Sequence, residues 1–484
     1  MNTLRLILLI AALLFESESL PGQNSTPLKS PSPAGIDRYA LKGTLVTPIE
    51  VIPAGTILIV DNKIEAIGKN IVIPAGVPSI DTNAFIYPGL IDLHDHITWN
   101  FLPRWNPGAE FNDRYEWQTL KDYADKLKNP HDNIFVPSPR PSDKEDLACD
   151  ANQYGEVKAI VGGATSVVDG IGTDDCVRGL VRNLSLYSGL YGPGMAEMLR
   201  NAVFPLELPN EDVQKIIEEL PDCHHAVVAH LAEGKRKEGC SEREFKMFKA
   251  RGFLREGVSI IHGVSLTLDD FVEMADRRVG LIWSPRSNIA LYGKDETTDV
   301  RVAKASGVKI ALAPDWSPSG SDGLLEELGY AAAWNAQQQP PVFTDSELVQ
   351  MVTIRPAELA KLDDKIGFLR RHHFADLLII RSQETDAYRA LLNAKPADVR
   401  LIIINGKPAY GDDDLMHSLA PNARLETISF CNTNKLLSLE SEKGLQAKPP
   451  KPWKDTVVSL KNELKKWNLD LSDLAPCDVG VPAQ

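Results

Sequence analysis

Hydrophobic and polar positions along the chain fall into three textures. From Arg38 to Tyr87, short apolar runs are broken by Gly, Asn and Pro: RYALKGTLVTP, GTILIVDNKIEAIG and NIVIPAGVPSID. Runs of this length between turn residues predict a small antiparallel β unit. The same texture returns in HHFADLLIIRS and DVRLIIINGKPAYGD, ending near Asp412. Between the two, apolar runs recur as GATSVVDG, HAVVAHLAEG, VSIIHGVSL, VGLIWSPRSN and VKIALAPDW, each followed by a polar cluster and a stretch of helical periodicity. Strand and helix signals in alternation predict a parallel sheet of βα units.

The interval 89–356 is close to the about 250 residues typical of a (β/α)8 barrel. The expected fold is therefore α/β, with a (β/α)8 TIM-type barrel over 89–356. Segments 38–88 and 357–412 are expected to form a small composite β-sandwich domain before and after it. Residues 413–484 are read as a C-terminal extension, in which WKDTVVSLKNELKKWN has helical spacing and packs on the body.

Composition sharpens this only in part. A chain of 484 residues calls for two or more domains, and 43% hydrophobic with 24% charged residues is ordinary for a soluble enzyme. A net charge of -14 argues against a nucleic-acid partner, which needs a basic patch. At the N-terminus, Arg5 precedes an apolar run from Leu6 to Phe15, shorter than the about 20 residues that span a bilayer. Residues 1–20 are read as a signal peptide and 21–37 as a disordered lead-in, which implies a secreted or periplasmic protein; a buried N-terminal helix is the alternative. None of the six cysteines forms a C-x-x-C pair, so a cysteine metal site is not expected. Pairing neighbours closes the shortest loops: Cys149 with Cys176, Cys223 with Cys240, and Cys431 with Cys477. Free buried thiols are the alternative.

Candidate chemistry collects at one end of the apolar runs. His94 and His96 end the first, in YPGLIDLHDH; His230 ends HAVVAH, with Glu233 three residues on; His262 ends VSIIH; Asp315 ends VKIALAPD. A lone histidine in an apolar run is most often a hydrogen-bonded core residue. Five polar residues at the same end of successive strands lie instead on the catalytic face of a barrel. Three imidazoles and a carboxylate suit a Zn²⁺-like ion with a position left for water. Arg286 and Asn288 of SPRSN either bind a substrate carboxylate or carbonyl, or only bond their own loop. Trp99 and Trp105, in the ring-rich TWNFLPRWNPGAEFNDRYEW, either wall a pocket or pack that loop. His131, His224, His225, His372, His373 and His417 fall outside the constellation.

The motifs PGLIDLHDH, VVAHLAEG, IIHGVSL, SPRSN, ALAPDWSPSGS and TIRPAELAKLDDKIGFLRRHHFADLLII, in this order over about residues 38–412, resemble the amidohydrolase superfamily. The branch they are most similar to holds guanine, cytosine and S-adenosylhomocysteine deaminases and atrazine chlorohydrolase. The resemblance implies one divalent ion, Zn²⁺ or alternatively Fe²⁺, on His94, His96, His230 and Asp315. It also implies proton shuttling by Glu233, and a His262 that holds the attacking water or the developing oxyanion, or else acts as a further ligand; Asp315 would accept the water proton while touching the metal. Binuclear members bridge two metals with a carboxylated lysine near strand four, and no lysine lies between Lys158 and Lys215. One metal is therefore expected, serving a hydrolase of C–N bonds, by deamination or amide hydrolysis; a binuclear amide or peptide-bond hydrolase is the alternative. The partner is a small-molecule substrate, with no membrane for the mature form and a homo-oligomer left open.

Overall fold

The computed structural model describes residues 37–135, 142–168, 179–185, 199–221, 225–236, 240–440 and 450–477. The expected signal peptide and all but the last residue of the lead-in lie outside the described residues.

Nine strands form one sheet from both ends of the chain. They are β1 (Arg38–Val46), β2 (Val51–Val60), β3 (Lys63–Gly68) and β4 (Ser79–Pro88), followed after the central region by strands Leu377–Ile380, Val399–Ile404, Lys407–Gly411, Leu425–Phe430 and Thr433–Ser438. The two groups meet where β4 pairs antiparallel with Leu377–Ile380, from Leu377 opposite Pro88 to Ile380 opposite Phe85. Alternation along the strands serves two cores. Leu377, Ile379 and Ile86 join Tyr39, Leu41 and Ile57 in a core of the sheet's own, whereas Leu378, Ile380 and Tyr87 face the main body. Hydrogen bonding thus runs through one continuous sheet where two sandwiched sheets were expected. Its last two strands come from the segment read as a tail, whose short polar-flanked runs gave little strand signal.

The central region supplies eight parallel strands: β5 (Leu90–Asp92), β6 (Ala164–Val167), β7 (Arg182–Asn183), β8 (Leu199–Asn201), β9 (Ala226–Leu231), β10 (Val258–His262), β11 (Gly280–Trp283) and β12 (Ile310–Leu312). They pair as a run of three, β5 to β7, and a run of five, β8 to β12. Just beyond β5 and β12, the two runs join through main-chain bonds: the Asp315 N–H donates to the His94 carbonyl and the His96 N–H to the Asp315 carbonyl, both at 3.0 Å. Among the described residues β7 and β8 are not paired.

Two buried features fix the segment that follows β5. Gly155, in the helix Ser142–Val161, lies flush on the turn Ile97–Trp99, so that a Cβ there would stand 2.3 Å from the Ile97 carbonyl oxygen. One turn further along, the fully buried Lys158 pairs with Asp322 at 2.8 Å and donates to Ser472 Oγ at 2.6 Å. This helix, the loop after β12 and the C-terminal segment therefore share one ammonium. The helix Trp453–Lys465 packs on the same helix, with Trp453 stacked on Tyr154.

Cys431 and Cys477 form a disulfide with Cα atoms 4.9 Å apart. Cys149 is disulfide-bonded as well, and Cys176 lies outside the described residues. The expected Cys223–Cys240 link is corrected: Cys240 is a free, exposed thiol, held at the start of its helix by the bond from its N–H to Asp113 Oδ2. Position 223 lies outside the described residues.

Lys158→Ala leaves Asp322 buried with one cation fewer. The substitution should cost about 3 kcal/mol of stability, seen as a lower urea midpoint at unchanged slope. A midpoint equal to wild type would show that the pair is not a structural pin.

Candidate metal centre

Four donor atoms from two strand ends, those of β5 and β9, and from the β12 loop converge. His94 Nε2 lies 3.1 Å from His230 Nε2 and 3.1 Å from Asp315 Oδ1, and His96 Nε2 lies 3.3 Å from the same oxygen. All four atoms fall within 4.8 Å of one another, on side chains that are buried or, for His96, partly so. Bonds of about 2.1 Å around a tetrahedral ion place donors roughly 3.4 Å apart. The spacing and the N₃O donor set fit a divalent ion, and His94, His96, His230 and Asp315 would hold it. Tight backbone carries two of the site's residues: His262 and Asp315 have φ of 65° and 71°, in the left-handed region that L-residues avoid unless the fold imposes it.

One helix orients most of this site. The helix Pro285–Tyr292 follows β11, and Ser284 precedes it. Ser284 Oγ is 3.0 Å from His94 Nδ1, which leaves Nε2 for the cluster. Ser287 donates to Asp315 Oδ2 at 2.5 Å, so Oδ1 is the oxygen turned to the histidines. Asn288 Oδ1 is 2.9 Å from His262 Nδ1, and its amide faces Thr297 and Thr298. Tyr292 donates to Glu233 Oε1 at 2.7 Å. At about 100° per residue, positions i, i+3, i+4 and i+8 share one face.

Electrostatics prepare the donors. Burial holds the His94 pKa down to about 4, against the pull of Asp315. Burial and the neighbouring imidazoles push His230 well below its ordinary value. Both rings are therefore neutral, as ligation requires. Burial acts downward on His96 too, but its hydrogen bond to Asp315 prevails and raises it. Asp315 is held well below the carboxylate range, because the charge and hydrogen bonds of His94 and His96 overcome its burial. Burial raises Glu233, opposed by His262.

The cluster opens into a cavity of about 290 Å³ lined by His96, Trp99, Trp117, Tyr123, His131, Phe204, Asn201, Glu233, His262, Asp315 and Trp316, among others. Glu233 and His262 thus reach the cavity, with Glu233 Oε2 3.8 Å from His262 Nε2. Trp99 forms part of the wall, stacked on His131 with ring centres 3.7 Å apart. His131 stays outside the metal cluster, as expected, yet it reaches the cavity wall from the short helix Asn129–Ile134. Three substrate-binding expectations are corrected. Arg286 is turned about 160° from Asn288 around their helix, is paired with Glu326, and lines a different cavity. Asn288 is wholly buried and braces His262 without lining the cavity. Trp105 is buried behind the wall, where its N–H donates to Asp122 and its ring packs on Phe111 and Trp117. At the end of β8, where binuclear relatives would carry a lysine, the cavity receives Asn201. Glu207, which follows β8, pairs with Arg114 at 2.7 Å.

Three comparisons with known proteins agree with this geometry. The model of the amidohydrolase family matches residues 85–409. The 5-methylthioadenosine/S-adenosylhomocysteine deaminase of Pyrococcus furiosus is 23% identical over 405 residues, covering 74% of this chain and 91% of its own. The enzyme of the same name from Moorella thermoacetica is 23% identical over 406 residues, covering 76% and 93%. Among solved structures, an adenosine deaminase from Xanthomonas campestris with bound zinc superposes with a TM-score of 0.61 at 14% identity, covering 76% of this chain and 92% of that one. Escherichia coli guanine deaminase gives 0.59 at 16% identity, covering 77% and 99%. At such identities the structural likeness speaks for the fold, an α/β architecture of TIM-barrel type. With the family model matching well over half of the sequence and the ligand set assembled on its strand ends, the chain belongs to the amidohydrolase family.

Proposed function

We propose that the chain is a hydrolase of C–N bonds other than peptide bonds, acting as a deaminase on a small, uncharged aminated ring, with a single divalent ion on His94, His96, His230 and Asp315. The observation that carries the deaminase reading is the cavity wall. Trp99, Trp117, Tyr123, His131, Phe204 and Trp316 offer ring faces, and no lysine or arginine stands among the described lining residues. Aromatic walls with a few convergent polar groups suit a flat, neutral ligand. An N-acyl amino acid would bring a carboxylate that needs a cation, and the sequence's candidate, Arg286, is occupied elsewhere. The deaminase names of the relatives point the same way.

An ion bound here would lower the pKa of its water from 15.7 to about 7. Zn²⁺ is the ion proposed, because three nitrogens and one oxygen suit it and the Xanthomonas relative holds zinc. The chain's own residues do the proton work. With its Nδ1–H given to Asn288, His262 presents Nε2 to the cavity as an acceptor for the attacking water. Once protonated, the same nitrogen can donate to a developing oxyanion. Glu233, raised by burial, can take a proton from one side of the reaction and give it to the leaving nitrogen. Asp315 keeps Oδ1 toward the histidines, since Ser287 occupies Oδ2. The same reading takes the eight strands as one closed barrel, with the nine-stranded sheet as its flanking composite domain, in a protein that is secreted or periplasmic.

Zinc-loaded protein should release ammonia from neutral aminated heterocycles and leave N-acyl amino acids intact; the opposite selectivity would refute the deaminase reading. His96→Ala should lose both bound metal and turnover, and retention of the metal would exclude it as a ligand. Glu233→Gln should keep the metal but lower kcat by about 100-fold, on the scale of general acid–base catalysis; a normal kcat would end its role as proton shuttle.

A further inference from the structure

Glu233 is not held alone. Tyr292, at the end of the helix that braces the rest of the site, donates to its Oε1 at 2.7 Å. The indole N–H of Trp117 in turn donates to the Tyr292 hydroxyl at 3.1 Å. An indole N–H can only donate. The tyrosine oxygen is therefore the acceptor in that bond, and its single proton must point elsewhere. The only carboxylate recorded within reach among the described residues is Glu233. Trp117 thereby fixes the direction of the whole chain: indole to phenol, phenol to carboxylate.

We infer that Tyr292 is a positioning residue that reserves Glu233 Oε1 as a permanent acceptor and so confines the mobile proton to Oε2. Oε2 is the oxygen that faces His262 Nε2, 3.8 Å away, and the reacting region of the cavity. A carboxyl group free to rotate could take its proton on either oxygen, and half of those protons would face away from the leaving group. With Oε1 engaged, every protonation event occurs on the side where it is used. The groups that surround this carboxylate are consistent with that arrangement. His262 faces it from the β10 end, and the charges of Asp315, His96 and Arg114 also act on it. Tyr292 is fully buried, so its hydroxyl does not exchange this bond for water.

The inference rests on Glu233 being the proton shuttle, and a double-mutant cycle keeps the two apart. Tyr292→Phe removes one oxygen atom and preserves the ring. It should retain the bound zinc and a KM within about twofold of wild type, while kcat falls about tenfold or more, the weight of a hydrogen bond to a charged group. In the Glu233→Gln background, where no proton is carried, the same substitution should change kcat by less than about twofold. Equal losses in both backgrounds would assign Tyr292 a packing role only and overturn the inference, as would wild-type kcat in Tyr292→Phe. Wild-type kcat in Glu233→Gln would instead remove the shuttle, and the inference with it. The conservative variant also reports spectroscopically. The infrared carboxyl or carboxylate band of Glu233, identified by its absence in Glu233→Gln, should shift in frequency once Oε1 loses its donor; an unshifted band would show that the bond is not made.

Discussion

The site depends on four donor atoms being forced together within 4.8 Å inside a buried space. Three imidazoles and a carboxylate at that distance do not gather spontaneously, because each loses its hydration on burial. The backbone enforces it. Main-chain bonds between the His94–His96 segment and Asp315 hold the segments that follow β5 and β12 together. The left-handed φ values of His262 and Asp315 are part of the same constraint. Burial then becomes useful, since it keeps His94 and His230 neutral and able to ligate.

The helix Pro285–Tyr292 is the second level of this constraint. Through Ser284, Ser287, Asn288 and Tyr292 it touches His94, Asp315, His262 and Glu233 in turn. Four candidate site residues are therefore tied to a single helix. Side chains that ligate a metal are usually oriented through such outer contacts. Two features anchor the opposite flank: Gly155, which lets a helix approach the turn after His96, and the Lys158–Asp322 pair, which ties that helix to the loop after β12.

The legible part of this architecture was the part written in residue type at a strand end. His94, His96, His230, His262 and Asp315 could be found because an apolar run followed by histidine or aspartate is unusual, and five of them recur in one register. What was not legible depended on rotation and on long-range folding. Arg286 stands two residues before Asn288, yet that spacing turns it about 160° away around the helix. The spacing of Ser284, Ser287, Asn288 and Tyr292 was available in the sequence, but only as a pattern whose target was unknown. His131, on the six-residue helix Asn129–Ile134, and Trp316, in the β12 loop, meet Trp99 and His96 through segments too short to show a periodicity. The last two strands of the flanking sheet were short and partly polar, and they take their place by pairing with a neighbour rather than by local propensity.

The convergence is tested most directly by counting ions. Apo protein titrated with Zn²⁺, with bound metal per chain measured by mass spectrometry alongside turnover, should reach full activity at one ion per chain. Full activity only at two ions per chain, or activity that persists with none, would contradict a single centre built from His94, His96, His230 and Asp315.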